Sequence, residues 1–178
     1  LETGSVIKGS GVSAVLDLNG GILRANRNTS NFLNGFASVT VAAGGAWFDT
    51  NGYDITIGTD FSGSSSFDKF GLGQLTLTGD SSGFSGASTV SAGTLAVNGI
   101  LGGNMLVDTS GRLAGAGHVG TVLNTGIIAP GYGGAMGTLT IDGDYVSSGG
   151  RLEIATVLGD DNSQTSRLVI DGSTSGHT

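Results

Sequence analysis

A seven-residue cassette returns along this chain: a small residue, any residue, Leu, any residue, an aliphatic residue, any residue, Gly. It reads Gly73-Gln74-Leu75-Thr76-Leu77-Thr78-Gly79, then Gly93-Thr94-Leu95-Ala96-Val97-Asn98-Gly99, then Gly137-Thr138-Leu139-Thr140-Ile141-Asp142-Gly143. Looser copies are Gly111-Arg112-Leu113, Gly150-Arg151-Leu152-Glu153-Ile154 and Arg167-Leu168-Val169-Ile170-Asp171-Gly172. Alternation sends two apolar side chains of each copy to one side, and a glycine closes it with a turn. Short strands of this kind bury their apolar side only by stacking copy upon copy, which makes a solenoid.

The cassette leucines stand at 75, 95, 113, 139, 152 and 168, with gaps of 20, 18, 26, 13 and 16 residues. A rung of a parallel β-helix takes roughly 20 residues, at the lower end of solenoid periods. The irregular gaps predict loops on some rungs and a breakdown of the period toward the C-terminus. Helical periodicity is missing, and period-two stretches recur, as in Val12-Ser13-Ala14-Val15-Leu16-Asp17-Leu18 and Ser38-Val39-Thr40-Val41. Asn-Gly pairs at 34–35, 51–52 and 98–99 mark tight turns. The predicted fold is all-β, a parallel β-helix over 1–123 with a C-terminal cap over the aperiodic stretch 124–178, the two forming one elongated unit. A β-sandwich or meander is the alternative architecture. The cap is expected because an open solenoid end leaves an unpaired strand edge that invites aggregation.

Composition narrows the function classes. The 35 glycines have no three-residue period and there is one proline, which excludes collagen. Hydrophobic residues are 38% and charged ones 12%, so there is apolar surface to bury and disorder is disfavoured. Seven Lys and Arg against fourteen Asp and Glu exclude the clustered cations that nucleic acid requires. No apolar run is long enough for a membrane-spanning helix, and Leu1-Glu2-Thr3-Gly4 has none of the features of a signal peptide. The absence of cysteine fits a bacterial protein that crosses the periplasm without being locked by disulfides.

The residue types that carry chemistry stand in structural settings. His118, in Gly117-His118-Val119, reads as a turn histidine; a Ser-His-Asp arrangement would need Asp108 or Asp142 beside it, and no Gly-x-Ser-x-Gly elbow is present. Asp142/Asp144 and Asp160/Asp161 are carboxylate pairs without the spacing of a calcium loop, and read as turn and loop residues. Gly71-Leu72-Gly73 and Gly131-Tyr132-Gly133-Gly134 lack the following helix and Lys-Ser/Thr of a phosphate cradle. No catalytic, cofactor or metal residue is assigned. Phe61, Phe67, Phe70 and Phe84 are expected in core or cap packing, and Tyr132 and Tyr145 in the terminal cap.

From Trp47 onward the chain resembles the passenger domains of bacterial autotransporters (type V secretion). The resemblance rests on Lys69-Phe70-Gly71-Leu72-Gly73-Gln74-Leu75-Thr76-Leu77-Thr78-Gly79, continuing through Phe84-Ser85-Gly86 and Thr89-Val90-Ser91-Ala92-Gly93-Thr94-Leu95, which is similar to the passenger-associated repeat. It also rests on the corner Gly126-Ile127-Ile128-Ala129-Pro130-Gly131 and the closing strands at Gly137–Tyr145 and Arg167–Gly172. Departures are Ser64-Ser65-Ser66 before the repeat and Ser166-Arg167 before the last strand. Among subtypes the resemblance suggests the actin-tail-directing one, although no motif singles it out.

The resemblance implies a right-handed β-helix stem at the bacterial cell surface or outer membrane, exposed outside or released from it. It also implies a non-catalytic autochaperone role in which terminal rungs fold first and template the upstream passenger. The residues expected to carry this are the core leucines Leu75, Leu95, Leu139, Leu152 and Leu168, the corner Ala129-Pro130-Gly131, and Tyr132 and Tyr145. Implied partners are the chain's own upstream passenger rungs and a downstream translocator barrel. A binding module for a host protein or glycan is the second reading, a β-helix hydrolase or lyase the third, and an exposed N-terminal edge could drive homo-oligomers.

Overall fold

A computed structural model describes residues 1–159 and 163–177. Among the described residues every regular element is a strand, two to eight residues long. The strands stack in parallel as a β-solenoid of about seven turns. A long sheet runs from Glu2–Thr3 through Ile22–Ala25, Ala46–Asp49, Phe67–Phe70, Ala87–Val90, Ile100–Val107 and His118–Asn124 to Thr138–Ile141 and Arg167–Ile170. A six-stranded sheet stacks Ile55–Ile57, Gln74–Leu77, Gly93–Val97, Gly111–Gly115, Ile127–Pro130 and Arg151–Leu152 in that order. Val15–Leu18, Ser38–Val41 and Phe61–Gly63 form a third sheet at the N-terminal end.

The cassette leucines do not form one column. Leu75 pairs with Ile55 on one side and Leu95 on the other, Leu95 with Leu113, Leu113 with Ile128, and Ile128 with Leu152. Leu139 instead lies on the long sheet beside Leu168, where Thr140 and Ile141 pair with His118 and Val119. The gaps of 26 and 13 residues therefore mix two faces, and the apolar residue that continues the first column is Ile128, outside any cassette. Nor does the ladder stop at 124. Tyr145–Ser148 pairs with His118–Asn124, and Thr174–His177 pairs with Tyr145–Ser148, all in parallel.

Inward residues form a single core. Leu75, Leu95, Leu101, Leu113, Val119, Ile128, Leu139 and Ile141 are fully buried. Burying an aliphatic side chain is worth about 1.5–3 kcal/mol, so stability adds up rung by rung. Near the N-terminal end the core turns aromatic. Phe32, Phe48, Phe61, Phe67 and Phe84 form a chain of ring contacts 5.3–6.5 Å apart, four of them edge-on. Such pairs add about 0.5–1.5 kcal/mol beyond their buried area. Polar side chains are buried along the whole length: Thr50, Lys69, Ser81 and Ser88 in the earlier rungs, Asn124, Ser147 and Ser166 in the later ones.

Three expectations for terminal residues need correction. Leu152 is 39% exposed, because it sits on the outermost strand of the six-stranded sheet with Ile128 on one side only. Leu168 is partly buried against the core rather than inside it. Tyr132 is 40% exposed, because it lies on a hairpin outside the solenoid.

Candidate functional site

The corner Ala129-Pro130-Gly131 is where the chain leaves the stack. Ile127–Pro130 completes a rung, with Ala114 beside Ala129 and Gly115 beside Pro130. Gly131 then bridges Gly115 in antiparallel fashion through two backbone hydrogen bonds of 2.8 Å. Both glycines have positive φ, +116° at Gly115 and +110° at Gly131. A Cβ on Gly115 would lie 2.0 Å from the Val97 carbonyl oxygen, so only glycine lets the two backbones approach. Tyr132 and Ala135 close a hairpin by exchanging hydrogen bonds of 3.1 and 2.8 Å across Gly133 (φ +58°) and Gly134 (φ +82°). Two successive positive φ values are what a tight two-residue hairpin requires.

This hairpin folds back over the outer side of the six-stranded sheet, toward earlier rungs. Tyr132 lines one hollow with Thr56, Thr76 and Gln74. A cleft of about 350 Å³ lies between residues 131–135, Arg112, Ala114 and Glu153. The cleft is polar: Glu153 pairs with Arg112 and, at 2.7 Å, with Arg151. Hydrogen bonding to Arg112 holds the Glu153 carboxyl below its ordinary pKa.

Inside the solenoid, Tyr145 is buried and its hydroxyl accepts a 3.2 Å hydrogen bond from Asn124 Nδ2. Asn124 Oδ1 in turn accepts from the Gly126 backbone N–H at 3.1 Å, so both ends of the buried amide are used just before the corner.

The residue that motif reading passed over is Lys69. Its side chain is fully buried, stacked in register between Phe48 and Val90. The ammonium reaches the neighbouring corner and donates to Thr50 Oγ1 (3.1 Å) and to the carbonyls of Phe70 (3.1 Å), Gly71 (2.7 Å) and Ala92 (2.8 Å). One side chain thus ties three consecutive rungs together. Burial pushes its pKa from 10.5 down to about 8, against the opposing pull of Asp49 and Asp54. Alternation in Phe67-Asp68-Lys69 places Lys69 on the same side as Phe67, and that was the legible signal.

The residues considered for catalysis resolve differently. His118 opens the strand His118–Asn124 rather than sitting in a turn, and its Nδ1 lies 2.8 Å from Asp142 Oδ1. Both side chains are about half exposed, and among the described residues no hydroxyl is hydrogen-bonded to the ring. A histidine–carboxylate pair without a positioned nucleophile lacks the attacking group of acyl transfer. Asp144 is occupied structurally, accepting from the Ser173 N–H at 2.8 Å. Asp160 and Asp161 lie outside the described residues. Among the described residues no group of three metal-ligating side chains converges.

Comparison with known proteins points the same way as the corner and the repeat. Residues 117–178 match the model of the Autochaperone Domain Type 1 family, and residues 67–97 match that of the Passenger-associated-transport-repeat family. The chain is 44% identical over 163 residues to the Adhesin BmaC autotransporter of Brucella suis biovar 1 (strain 1330), covering 92% of this chain and 5% of that protein. It is 33% identical over 135 residues to the Uncharacterized protein YuaQ of Escherichia coli (strain K12), covering 72% of this chain and 10% of that protein. It is 36% identical over 89 residues to the Extracellular serine protease of Serratia marcescens, covering 49% of this chain and 8% of that protein. The chain spans a tenth or less of the length of these relatives.

Proposed function

We propose that this chain is a non-catalytic β-solenoid segment of an autotransporter passenger, and that it promotes folding and surface display of the passenger rungs upstream of it. The two family matches and the adhesin relative support an autotransporter passenger region. The observation that carries the folding role is the continuous parallel ladder that joins the residues of the autochaperone match to those of the repeat match. A formed rung offers its neighbour a row of paired backbone groups and an apolar floor. Adding a rung to it avoids the cost of starting one alone.

In this reading 1–123 are solenoid rungs and 124–178 are the terminal module that forms first. Leu139 and Tyr145 supply the module's buried core contacts, and Leu75 and Leu95 those of the repeat rungs it follows. Ala129, Pro130 and Gly131 set the corner, Tyr132 dresses the outer side, and Leu152 and Leu168 offer apolar surface to further chain. The passenger stands at the bacterial surface, linked to a translocator barrel in the outer membrane. The actin-tail-directing subtype rests on no motif, and the proposal does not depend on it.

The test uses the full-length parent protein with residues 124–178 deleted, measuring surface display and protease resistance of the remaining passenger. Loss of the protease-resistant passenger is the expected result. A displayed, resistant passenger that no longer binds host cells would replace this reading with a host-binding module, the function that the name of the adhesin relative suggests.

A further inference from the structure

We propose that the hairpin 131–136 is a latch, which seats over the outer side of the repeat rungs only once they are stacked and opens without unfolding them. The proposal deepens the folding role above and rests on it for its biological meaning, but its geometry stands alone.

The seat is unusual for a surface. Along the six-stranded sheet Leu75, Leu95, Leu113 and Ile128 point inward, so Thr76, Ala96, Ala114 and Ala129 point outward. These four are in register, one per rung. Outward residues of a solenoid normally face water, yet Thr76 is 3% exposed, Ala96 0%, Ala114 7% and Ala129 6%. A column of methyl-sized side chains leaves a furrow into which another chain segment fits. The hairpin supplies that segment. It is rooted at Gly115 by the Gly131 bridge, and Tyr132 reaches the hollow shared with Thr56 and Thr76. The path from Gly115 to Thr76 crosses the rung of Ala96.

Two features make this contact a latch and not another rung. Its seat is composed of at least three separate rungs, so no seat exists until Gln74–Leu77, Gly93–Val97 and Gly111–Gly115 are side by side. And its hold is light. The Tyr132 and Ala135 backbones bond each other rather than the sheet, Tyr132 remains 40% exposed, and the 350 Å³ cleft lies beneath. Opening residues 132–136 breaks no bond of the parallel ladder, which resumes at the Gly137 carbonyl that accepts from the Arg167 N–H. Local openings of this kind cost less than global unfolding. The latch therefore couples the corner near 130 to the strands near 75 and 95, where the ladder alone couples only neighbours.

The chain has no cysteine, so one engineered thiol reports on the seat without background. Ala114→Cys places it under the hairpin. Its alkylation rate with iodoacetamide is compared with and without Tyr132→Gly, alongside far-UV circular dichroism and the urea midpoint of each protein. The expected result is alkylation faster by about tenfold or more in the Tyr132→Gly background, with spectrum and midpoint nearly unchanged. Equal rates would overturn the proposal, since the column would then be buried by its own neighbours. Acceleration only at urea concentrations where the spectrum is also lost would overturn it too, because the hairpin would then belong to the cooperative ladder. Ala129→Cys repeats the measurement if Ala114→Cys does not fold. None of these readouts involves export, so failure of the latch and failure of the folding role are separately visible.

Discussion

At the scale of the residue, Lys69 is the most consequential side chain of the repeat. A charge in an apolar stack is tolerated only when its donors are used, and here four acceptors surround the ammonium, two from its own rung and one from each neighbouring rung. Because its pKa falls from 10.5 to about 8 on folding, the unfolded chain holds the proton more tightly across that interval. Folding stability contributed by this group therefore rises with pH between about 8 and 10.5, opposite to the case of a lysine whose pKa is raised by an ion-pair partner. The rise is expected in the difference between wild type and Lys69→Met, followed by urea unfolding from pH 7 to pH 10; a constant difference would refute it. At pH 7 the Met variant should lose roughly 1–3 kcal/mol, since the Phe70, Gly71 and Ala92 carbonyls lose a buried donor. The inward position of Lys69 was legible from alternation, but its partners were not. Thr50 and Ala92 come from turns about twenty residues away on either side, and only stacking brings them to the Phe70 and Gly71 carbonyls of its own rung.

At the scale of the element, related cassettes have unequal energetic weight. Leu139→Ala removes a fully buried side chain and should cost about 2–5 kcal/mol. Leu152→Ala, in a looser copy of the cassette, should change stability by no more than about 0.5 kcal/mol because the side chain is 39% exposed. Chemical denaturation of the two variants decides this, and equal losses would contradict the column assignment. The corner is sensitive in another way. Gly115→Ala must hold alanine at φ +116° with its Cβ against the Val97 carbonyl, and should destabilise by more than the roughly 1 kcal/mol typical of a point mutation. Differential scanning calorimetry would show a lowered Tm, and an unchanged Tm would mean that the corner relaxes. Strand existence and inward leucines could be read from alternation. Which face each cassette occupies could not, because loop lengths between cassettes decide it.

At the scale of the whole molecule, cohesion is uneven along the axis. Five packed phenylalanines fill the core between residues 32 and 84, whereas the last strands, Arg167–Ile170 and Thr174–His177, are partly or wholly exposed. Native-state hydrogen exchange should find its slowest amides in Ala46–Asp49, Phe67–Phe70 and Gln74–Leu77 and faster ones in Arg167–Ile170 and Thr174–His177. Uniform protection would show that the solenoid opens only as a unit. A template need not be the most stable part of a structure; it needs a formed edge on which the next rung pairs. The sequence by itself determined that this chain is all-β and repetitive, because apolar–polar alternation broken by glycine makes short strands, and the recurring cassette favoured a solenoid over a sandwich or meander. The resemblance to autotransporter passengers was equally a matter of local motif order. The tertiary structure alone decided the rest: that Leu139 leaves the column of Leu75, that Leu152 is half uncovered, that His118 meets Asp142, that Lys69 bonds three rungs, and that Tyr132 reaches back to Thr76. Each of these depends on which residues twenty or more positions apart come into register, and register follows from the summed lengths of the turns and loops between them, which no local pattern encodes.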